Sequence, residues 1–198
     1  MQSFRKSFLI AIISISAILI FKISELSAQN LSTQNTFLNN EILNYPEIKT
    51  SLPSFNLLGK HHLKVFGLNI YYIALFSDVQ NFSYNNKLAI LINYQRDFSK
   101  NKLIDKSIEE IARINNLSDD SILKNYRQKL QEIFYDVKKG DRKLAFFDPK
   151  KGLKLYFNGT FAGEISDLTL ARRFIDIWLS NKSSYPQMTA DILGKGGN

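Results

Sequence analysis

Histidine is the first residue type to consider for chemistry, because the chain contains no cysteine and its two imidazoles are adjacent, at His61 and His62. Without cysteine, disulfides, thiol nucleophiles and thiolate metal ligands are excluded. Adjacent side chains point to opposite faces of a strand and do not stack along a helix, so the pair is a poor beginning for a metal site. We predict no metal site and no cofactor, and we place the pair at a polar strand end or in a turn.

The sequence carries none of the short motifs that are typical of enzymes. No glycine-rich phosphate loop opens a helix, and neither H-E-x-x-H nor G-x-S-x-G occurs. Asp105, Glu109 and Glu110 lie on one predicted helix, where acidic residues usually serve solubility and local ion pairs. We therefore assign no catalytic residue.

Tyrosines on predicted strands are the more informative polar groups. Tyr71 and Tyr72 are adjacent, so they point to opposite faces and one of them faces the interior. An inward phenol beside a basic side chain from a neighbouring strand would form a receptor for an anionic oxygen in an apolar cleft. Simple core packing of these aromatic side chains is the alternative interpretation.

The first structured part of the chain has the composition of short strands. Residues 55–94 contain segments rich in aromatic and β-branched residues, and these are interrupted by Gly59, by Gly67 and by the polar run 78–87. Because glycine and polar clusters break strands at short intervals, the pattern predicts antiparallel strands joined by tight turns. The histidine pair and both tyrosines fall within this part.

The rest of the chain alternates between helical and strand patterns. Apolar residues recur at helical spacing in residues 103–112 and 118–134, and a third helix is predicted over about 167–179. Turn signals at 148–152 and at Asn158-Gly159 predict three further strands in hairpins. Hairpins followed by helices predict an α+β fold in which helices cover one face of an antiparallel sheet.

Residues 1–28 have the pattern of a secretory signal peptide. Basic residues precede an uncharged apolar stretch, residues 8–21, which Lys22 ends and which is shorter than the roughly 20 residues that a membrane-spanning helix needs. We predict cleavage after Ala28 and a periplasmic or secreted protein. An uncleaved N-terminal anchor, the one predicted contact with a membrane, is the alternative because Leu26 is bulky for the cleavage site.

The remaining boundaries and the charge follow from composition. Residues 29–50 are polar without periodicity and predict a flexible lead-in, residues 51–194 form one domain, and residues 195–198 are a disordered tail. Removing residues 1–28 takes three of the 26 basic and one of the 18 acidic residues, which leaves a formal charge of +6. Such a surface attracts anionic partners, and export argues against nucleic acid among them.

Five segments in the same order resemble the bacterial chalcone isomerase-like family. They are LGKHHLKVFGLNIYYIALF (58–76), INYQRD (92–97), YDVKKGD (135–141), NGTFAGEI (158–165) and LARRFIDIWL (170–179). The resemblance implies an open-faced β-sandwich, in which a large antiparallel sheet carries a layer of helices on one face. It also implies a ligand cleft between the sheet and the helices.

Plant relatives of this family are either true isomerases, which close a chalcone to a flavanone, or fatty-acid-binding proteins, which lack this activity. Aligned with the isomerases, the family arginine falls near His62, and the catalytic threonine, tyrosine, asparagine and last-helix hydroxyl fall at Tyr71, Leu103, Glu110 and Ile177. Leu103 and Ile177 supply no group that could stabilise developing charge. The resemblance therefore implies no chalcone cyclisation.

In the fatty-acid-binding branch, an arginine and a tyrosine hold the carboxylate. Tyr71 matches that tyrosine, so the resemblance implies that Lys60, His62, Lys64 or Arg96 supplies the positive charge. Lysine provides charge without the two-pronged geometry of arginine, which implies a different selectivity.

The first hypothesis is therefore an exported, non-catalytic protein that binds a small amphipathic or fatty-acid-like ligand between sheet and helices. An intramolecular lyase or isomerase acting on an unknown substrate is the second, with His62 as an acid or base near neutral pH. An envelope interaction module is the third, and the basic surface and the N-terminal segment are its only support.

Overall fold

The computed structural model describes residues 55–196, which form six strands and four helices. The strands are β1 (Asn56–Val65), β2 (Leu68–Ser77), β3 (Leu88–Tyr94), β4 (Arg142–Asp148), β5 (Gly152–Phe157) and β6 (Thr160–Ile165). The helices are α1 (Lys100–Asn115), α2 (Asp120–Ile133), α3 (Leu168–Leu179) and α4 (Pro186–Ile192). The predicted signal peptide (1–28) and lead-in (29–50) lie outside the described residues.

All six strands form one antiparallel sheet, and their order in the sheet is their order in the chain. Two of the connections are two-residue turns in which both central residues have positive φ, Phe66-Gly67 (50° and 76°) and Asn158-Gly159 (49° and 86°). Turns of this kind match the right-handed twist of the flanking strands. The predicted α+β class and the predicted hairpin at Asn158-Gly159 are confirmed.

Strand β1 runs without a break from Asn56 to Val65, whereas the sequence predicts an interruption at Gly59. Gly59 does not break it: a side chain there would lie 2.1 Å from the carbonyl oxygen of Asp191, so the glycine lets the end of α4 approach the strand. His61 and His62 lie inside β1, and not at its end or in a turn. His61 Nδ1 lies 2.6 Å from a carboxylate oxygen of Asp191, and this contact fastens β1 to α4.

Side-chain caps mark the starts of helices α2 and α3. Asp119 and Asp167 accept hydrogen bonds from the first backbone N–H groups of α2 and α3, which satisfies donors that would otherwise lack partners. Asn116 ends α1 in the left-handed conformation. Helix α4 was not predicted, because its seven residues are too few to show an apolar period.

The helices lie on the sheet face that carries Leu63, Ile90 and Leu155, and the core lies between the two layers. Helix α1 packs against α2 and α3, while α3 contacts β5 and β6 and α4 contacts β1 and β2. In residues 55–196, no helix has both the length and the apolar character needed to cross a bilayer. Of the predicted tail, the N–H of Lys195 donates to the Ala190 carbonyl, and residues 197–198 are not described.

Candidate ligand-binding site

A cavity of about 540 Å³ lies between the sheet and the helix layer. Its volume is within the range of roughly 300–1,000 Å³ that is usual for small-molecule sites. Most of its wall is apolar. The sheet supplies Leu63, Ile90, Ile92 and Leu155, and the helices supply Leu103, Phe174 and Ile177.

Lys143 is the cation inside this cavity. On β4 it lies between Ile92 of β3 and Phe157 of β5, and it points to the same face as Ala145, which also lines the cavity. Its side chain is buried, and its Nζ has no hydrogen-bond partner among residues 55–196. Burial lowers the pKa of the Lys143 amine to about 7. The amine is therefore available to an anionic partner that residues 55–196 do not supply.

Tyr71 on β2 presents its hydroxyl to the same cavity. The hydroxyl oxygen accepts a hydrogen bond from Trp178 Nε1 at 3.2 Å and donates to the Met188 sulfur at 3.5 Å. Burial raises the pKa of Tyr71 well above its ordinary value, so the phenol keeps its proton at neutral pH. A thioether sulfur is a weak acceptor, and a carboxylate oxygen of a ligand would replace it readily.

Tyr94 lies between these two groups. It pairs with Tyr71 in the β2–β3 register, and the two ring centroids are 6.3 Å apart in an edge-to-face arrangement. Lys143 Nζ is 6.0 Å from the Tyr94 ring centroid. The sheet side of the cavity therefore carries two phenols and one amine within an otherwise apolar wall.

The mouth of the cavity is formed by the polar face of α1. The exposed lining residues, Lys102, Asp105, Lys106 and Glu109, all belong to this helix. They give the mouth two positive and two negative charges, so the rim has no net preference for either sign. The residues inside the cavity therefore determine which sign of ligand charge is preferred.

Glu110 is the acidic group nearest the interior, and it already has partners. It lies within 2.6 Å of Arg113 Nη2 and accepts a hydrogen bond from Ser184 at 2.6 Å. Burial alone would raise the pKa of Glu110, but these hydrogen bonds and the nearby positive charges hold it below the ordinary value. The ion-paired carboxylate joins α1 to the segment before α4 and is not available as a general base.

The five residues predicted to bind ligand do not come together. Tyr71 lines the cavity, whereas Lys60, His62, Lys64 and Arg96 are not among its lining residues. The cation that accompanies Tyr71 is Lys143, which is not among the residues predicted from the sequence. The alternation of Lys143 with the buried Ala145 and Phe147 was the available signal, because it places a lysine at an inward position of a strand.

His62 lies on the opposite face of the sheet. Its ring stacks on Tyr72 with 4.0 Å between centroids. Burial, Lys64 and His61 all lower the pKa of His62, so the ring is neutral at neutral pH. From this position His62 cannot exchange a proton with a molecule in the cavity.

Three other positions from the resemblance to the isomerases do line the cavity. They are Leu103, Glu110 and Ile177, and together with Tyr71 they surround one space. Leu103 and Ile177 are aliphatic where the isomerases have hydrogen-bonding groups. Within residues 55–196, no group of three histidine, aspartate or glutamate side chains is placed to hold a metal ion.

Comparisons with known proteins agree with this architecture. No curated protein matched the sequence. Among solved structures, the crystal structure of a fatty-acid binding protein from Arabidopsis thaliana is similar, with a TM-score of 0.53 and 14% sequence identity over 72% of this chain and 88% of that chain. At this identity the likeness concerns the fold. Residues 52–194, most of the chain, match the family described as chalcone isomerase-like. The chain belongs to the chalcone isomerase-like family.

Proposed function

We propose that this protein binds a small amphipathic carboxylate, such as a fatty acid, in the cavity and does not transform it. The single observation that carries the proposal is the buried amine of Lys143, which has no hydrogen-bond partner among residues 55–196 and lies in an apolar cavity of about 540 Å³. The fold is shared with a fatty-acid binding protein, which supports the ligand class. In this proposal the acyl chain fills the apolar space and the carboxylate lies against Lys143.

The charge of the cavity supports an anionic ligand over a cationic one. Lys143 is the buried positive charge, and the only carboxylate buried at the lining of the described cavity, Glu110, is bound to Arg113 and Ser184. Ion pairing requires a charged amine, and a carboxylate beside Lys143 would raise the pKa of that amine from about 7. The Tyr71 hydroxyl adds one hydrogen-bond donor, which suits a head group with more than one acceptor oxygen.

The lining also supports binding without catalysis. Stabilising a reacting oxyanion needs several preorganised donors, and the lining positions Leu103 and Ile177 offer aliphatic groups. The tyrosine pKa values are raised and not lowered, so neither Tyr71 nor Tyr94 is a base near neutral pH. The proposed activity is therefore storage or transport of the ligand.

We also infer an exported location from residues 1–28, which lie outside the described residues. A basic start, an apolar stretch and a small residue at Ala28 support this inference. Mass spectrometry of the mature protein from the periplasm would test it. A chain that begins at Gln29 is expected, and a cytoplasmic chain that begins at Met1 would contradict the location.

Calorimetric titration with dodecanoate at pH 6.5 tests the ligand proposal. The matched variants are Lys143→Met and Lys154→Met, and Lys154 is an exposed lysine on the neighbouring strand β5. Because a hydrogen bond to a charged group contributes about 1.5–3 kcal/mol, the Lys143 variant is expected to bind roughly 10- to 100-fold more weakly. The Lys154 variant is expected to bind as the parent does.

Neutral ligands provide the second control. Dodecanol has no charge, so its affinity should be nearly the same in the parent and in Lys143→Met. If the parent took up no dodecanoate, or if both lysine variants bound it as the parent does, the proposal would be wrong.

A further inference from the structure

Phe66 has a position that the packing of the protein does not explain. It is the first residue of the two-residue turn between β1 and β2, and its side chain is 99% exposed. Its φ of 50° lies in the left-handed region, which glycine and asparagine adopt more readily than a bulky residue. The side chain therefore neither buries apolar surface in the fold nor favours the turn that holds it.

Other exposed apolar side chains lie at the same end of the sheet. We call this the Phe66 end: it is where β1, β3 and β5 finish and β2, β4 and β6 begin, and it comprises the segments 64–69, 95–100, 135–142 and 158–161. Seven large hydrophobic side chains are exposed in the described residues. Four of them lie at this end, namely Phe66, Leu68, Tyr135 and Phe161.

The Phe66 end is also positively charged. Its segments contain three acidic residues and six basic residues, namely Lys64, Arg96, Lys100, Lys138, Lys139 and Arg142. The opposite end of the sheet, in segments 77–87, 148–152 and 165–168, contains three basic and three acidic residues. The positive charge is therefore concentrated at the end that exposes Phe66.

The three acidic residues of the Phe66 end are engaged in holding its loops together. Asp97 accepts a hydrogen bond from the N–H of Lys139, and Asp136 accepts one from the N–H of Lys100. Asp141 accepts from the N–H of Lys138 and from the Asn158 side chain. The carboxylates thus serve the loops, while Lys64, Arg96 and Lys139 are exposed.

The cavity extends toward this end. Val65 and Ile70 flank the hairpin that carries Phe66, and both line the cavity. Phe98 lines it as well and pairs through its backbone with Val137, next to the basic pair of residues 138–139. Helix α1, which forms the mouth, begins at Lys100 within the Phe66 end, and Lys102 of its first turn lines the mouth. An amphipathic molecule that passes this first turn would pass close to the exposed aromatic and basic side chains.

We propose that the Phe66 end docks on an anionic lipid bilayer, with Phe66 inserted at the level of the lipid head groups. Aromatic side chains favour the membrane interface, and lysine and arginine are attracted to anionic lipid. This contact is separate from any anchor in residues 8–21. The purpose of the docking, exchange of an acyl ligand between bilayer and cavity, rests on the proposed function, whereas the docking itself does not.

Because the chain has no cysteine, a single introduced cysteine can be labelled uniquely. The probe is the environment-sensitive dye NBD, attached to full-length Phe66→Cys and, as a control, to Lys150→Cys. Lys150 is exposed in the β4–β5 turn, at the opposite end of the sheet. NBD emission reports only on the surroundings of the labelled residue. A membrane contact made by the N-terminal segment therefore does not produce a signal specific to position 66.

Vesicles of phosphatidylcholine alone and vesicles containing one third phosphatidylglycerol are compared. With the anionic vesicles we expect a blue shift and a several-fold rise in emission at position 66 and no change at position 150. The response should be weaker with neutral vesicles and should decline as salt is raised. The proposal would be overturned if the NBD emission at position 66 stayed that of a dye in water. It would also be overturned if positions 66 and 150 responded equally, or if both vesicle types gave equal responses.

Unlabelled variants test the side chain itself by vesicle titration. Phe66→Ser should weaken the affinity for anionic vesicles roughly tenfold. The transfer of an aromatic ring out of water is favourable by at least the free energy of a tenfold change in affinity. Arg96→Glu with Lys139→Glu should weaken binding to anionic vesicles, whereas Lys150→Glu with Lys151→Glu should not. Circular dichroism confirms that each variant is folded.

Dodecanoate titration without vesicles separates this proposal from the ligand proposal. Phe66→Ser is expected to bind dodecanoate as the parent does, since Phe66 does not line the cavity. Loss of vesicle docking with intact dodecanoate binding would support docking at the Phe66 end. A Phe66→Ser protein that docks on anionic vesicles as tightly as the parent would contradict it, whatever its affinity for dodecanoate.

Discussion

Lys143 Nζ lies 3.8 Å from the centroid of the Phe134 ring, and no described residue accepts a hydrogen bond from it. A desolvated cation–π contact contributes about 2 kcal/mol, whereas burying an ammonium group costs several kcal/mol. The aromatic ring therefore offsets only part of the cost, and burial keeps the pKa of Lys143 lowered to about 7. A carboxylate ligand would supply the missing charge.

The first prediction concerns stability and pH. Between pH 7 and 10.5 the unfolded chain binds more protons at Lys143 than the folded chain does, so the free energy of unfolding rises with pH in this window. Below pH 7 the amine is charged in the folded protein as well, and the full free-energy cost of burying that charge is present. Lys143→Met should therefore stabilise the protein by about 3–5 kcal/mol at pH 6, with little gain near pH 10.5.

Urea unfolding of the ligand-free protein at several pH values measures this effect. Lys154→Met, which replaces an exposed lysine on β5, is the control and should change stability little at any pH. A Lys143→Met protein that is no more stable than the parent at pH 6 would show that the amine is not desolvated.

The second prediction concerns the affinity for dodecanoate as a function of pH. The charged amine is the form that pairs with a carboxylate, and in the free protein it loses its proton above about pH 7. Affinity should therefore be highest between about pH 5, where the fatty acid is ionised, and pH 7, and should fall up to tenfold per pH unit above that. Titration calorimetry measures the fall, and Lys143→Met should not show it.

The third prediction concerns the Tyr71 hydroxyl. Tyr71→Phe removes the donor that now points to Met188 and leaves the ring in place. Dodecanoate should bind about three- to tenfold more weakly, as expected for one hydrogen bond of about 1 kcal/mol. Tyr72→Phe is the matched control, because Tyr72 stacks on His62 at the opposite face. Equal affinities of the two variants would remove Tyr71 from the binding site.

The fourth prediction is that the purified protein does not cyclise chalcones. Leu103 and Ile177 line the cavity with aliphatic groups, and Glu110 is occupied by Arg113 and Ser184. No set of donors is therefore placed where charge develops in the attack of a phenolate on an enone. Absorbance of a hydroxychalcone should fall at the uncatalysed rate, and flavanone formation above that rate would show the prediction to be wrong.

The sheet and three helices could be predicted because their signals are local. Asn158-Gly159 specifies a two-residue hairpin, and the helical spacing of apolar residues in 103–112 and 118–134 specifies two helices. The sequence pattern wrongly predicts a strand break at Gly59, because the role of this glycine depends on α4, which lies more than 120 residues away in the chain. Helix α4 is held by long-range contacts such as His61 with Asp191.

Only the part of the site that depends on a local pattern could be predicted. Tyr71 could be placed because one of two adjacent tyrosines must face inward. Lys143 was harder to place, since a lysine in a strand is usually exposed. Its alternation with Ala145 and Phe147 indicates a face of the sheet, and the register with Ile92 and Phe157 fixes its position in the cavity. The sequence could indicate an inward phenol beside a cation, but identifying the cation needed the pairing of the strands.

A crystal structure of the protein with dodecanoate would show whether Lys143 holds the ligand. We expect the carboxylate within about 2.7–3.2 Å of Lys143 Nζ, with the acyl chain extending along Leu103 and Ile177 toward the mouth on α1. Binding by Lys143 would be disproved by a carboxylate held at the mouth by Lys102 or Lys106 with its chain covering Lys143, or by a cavity that remains without dodecanoate.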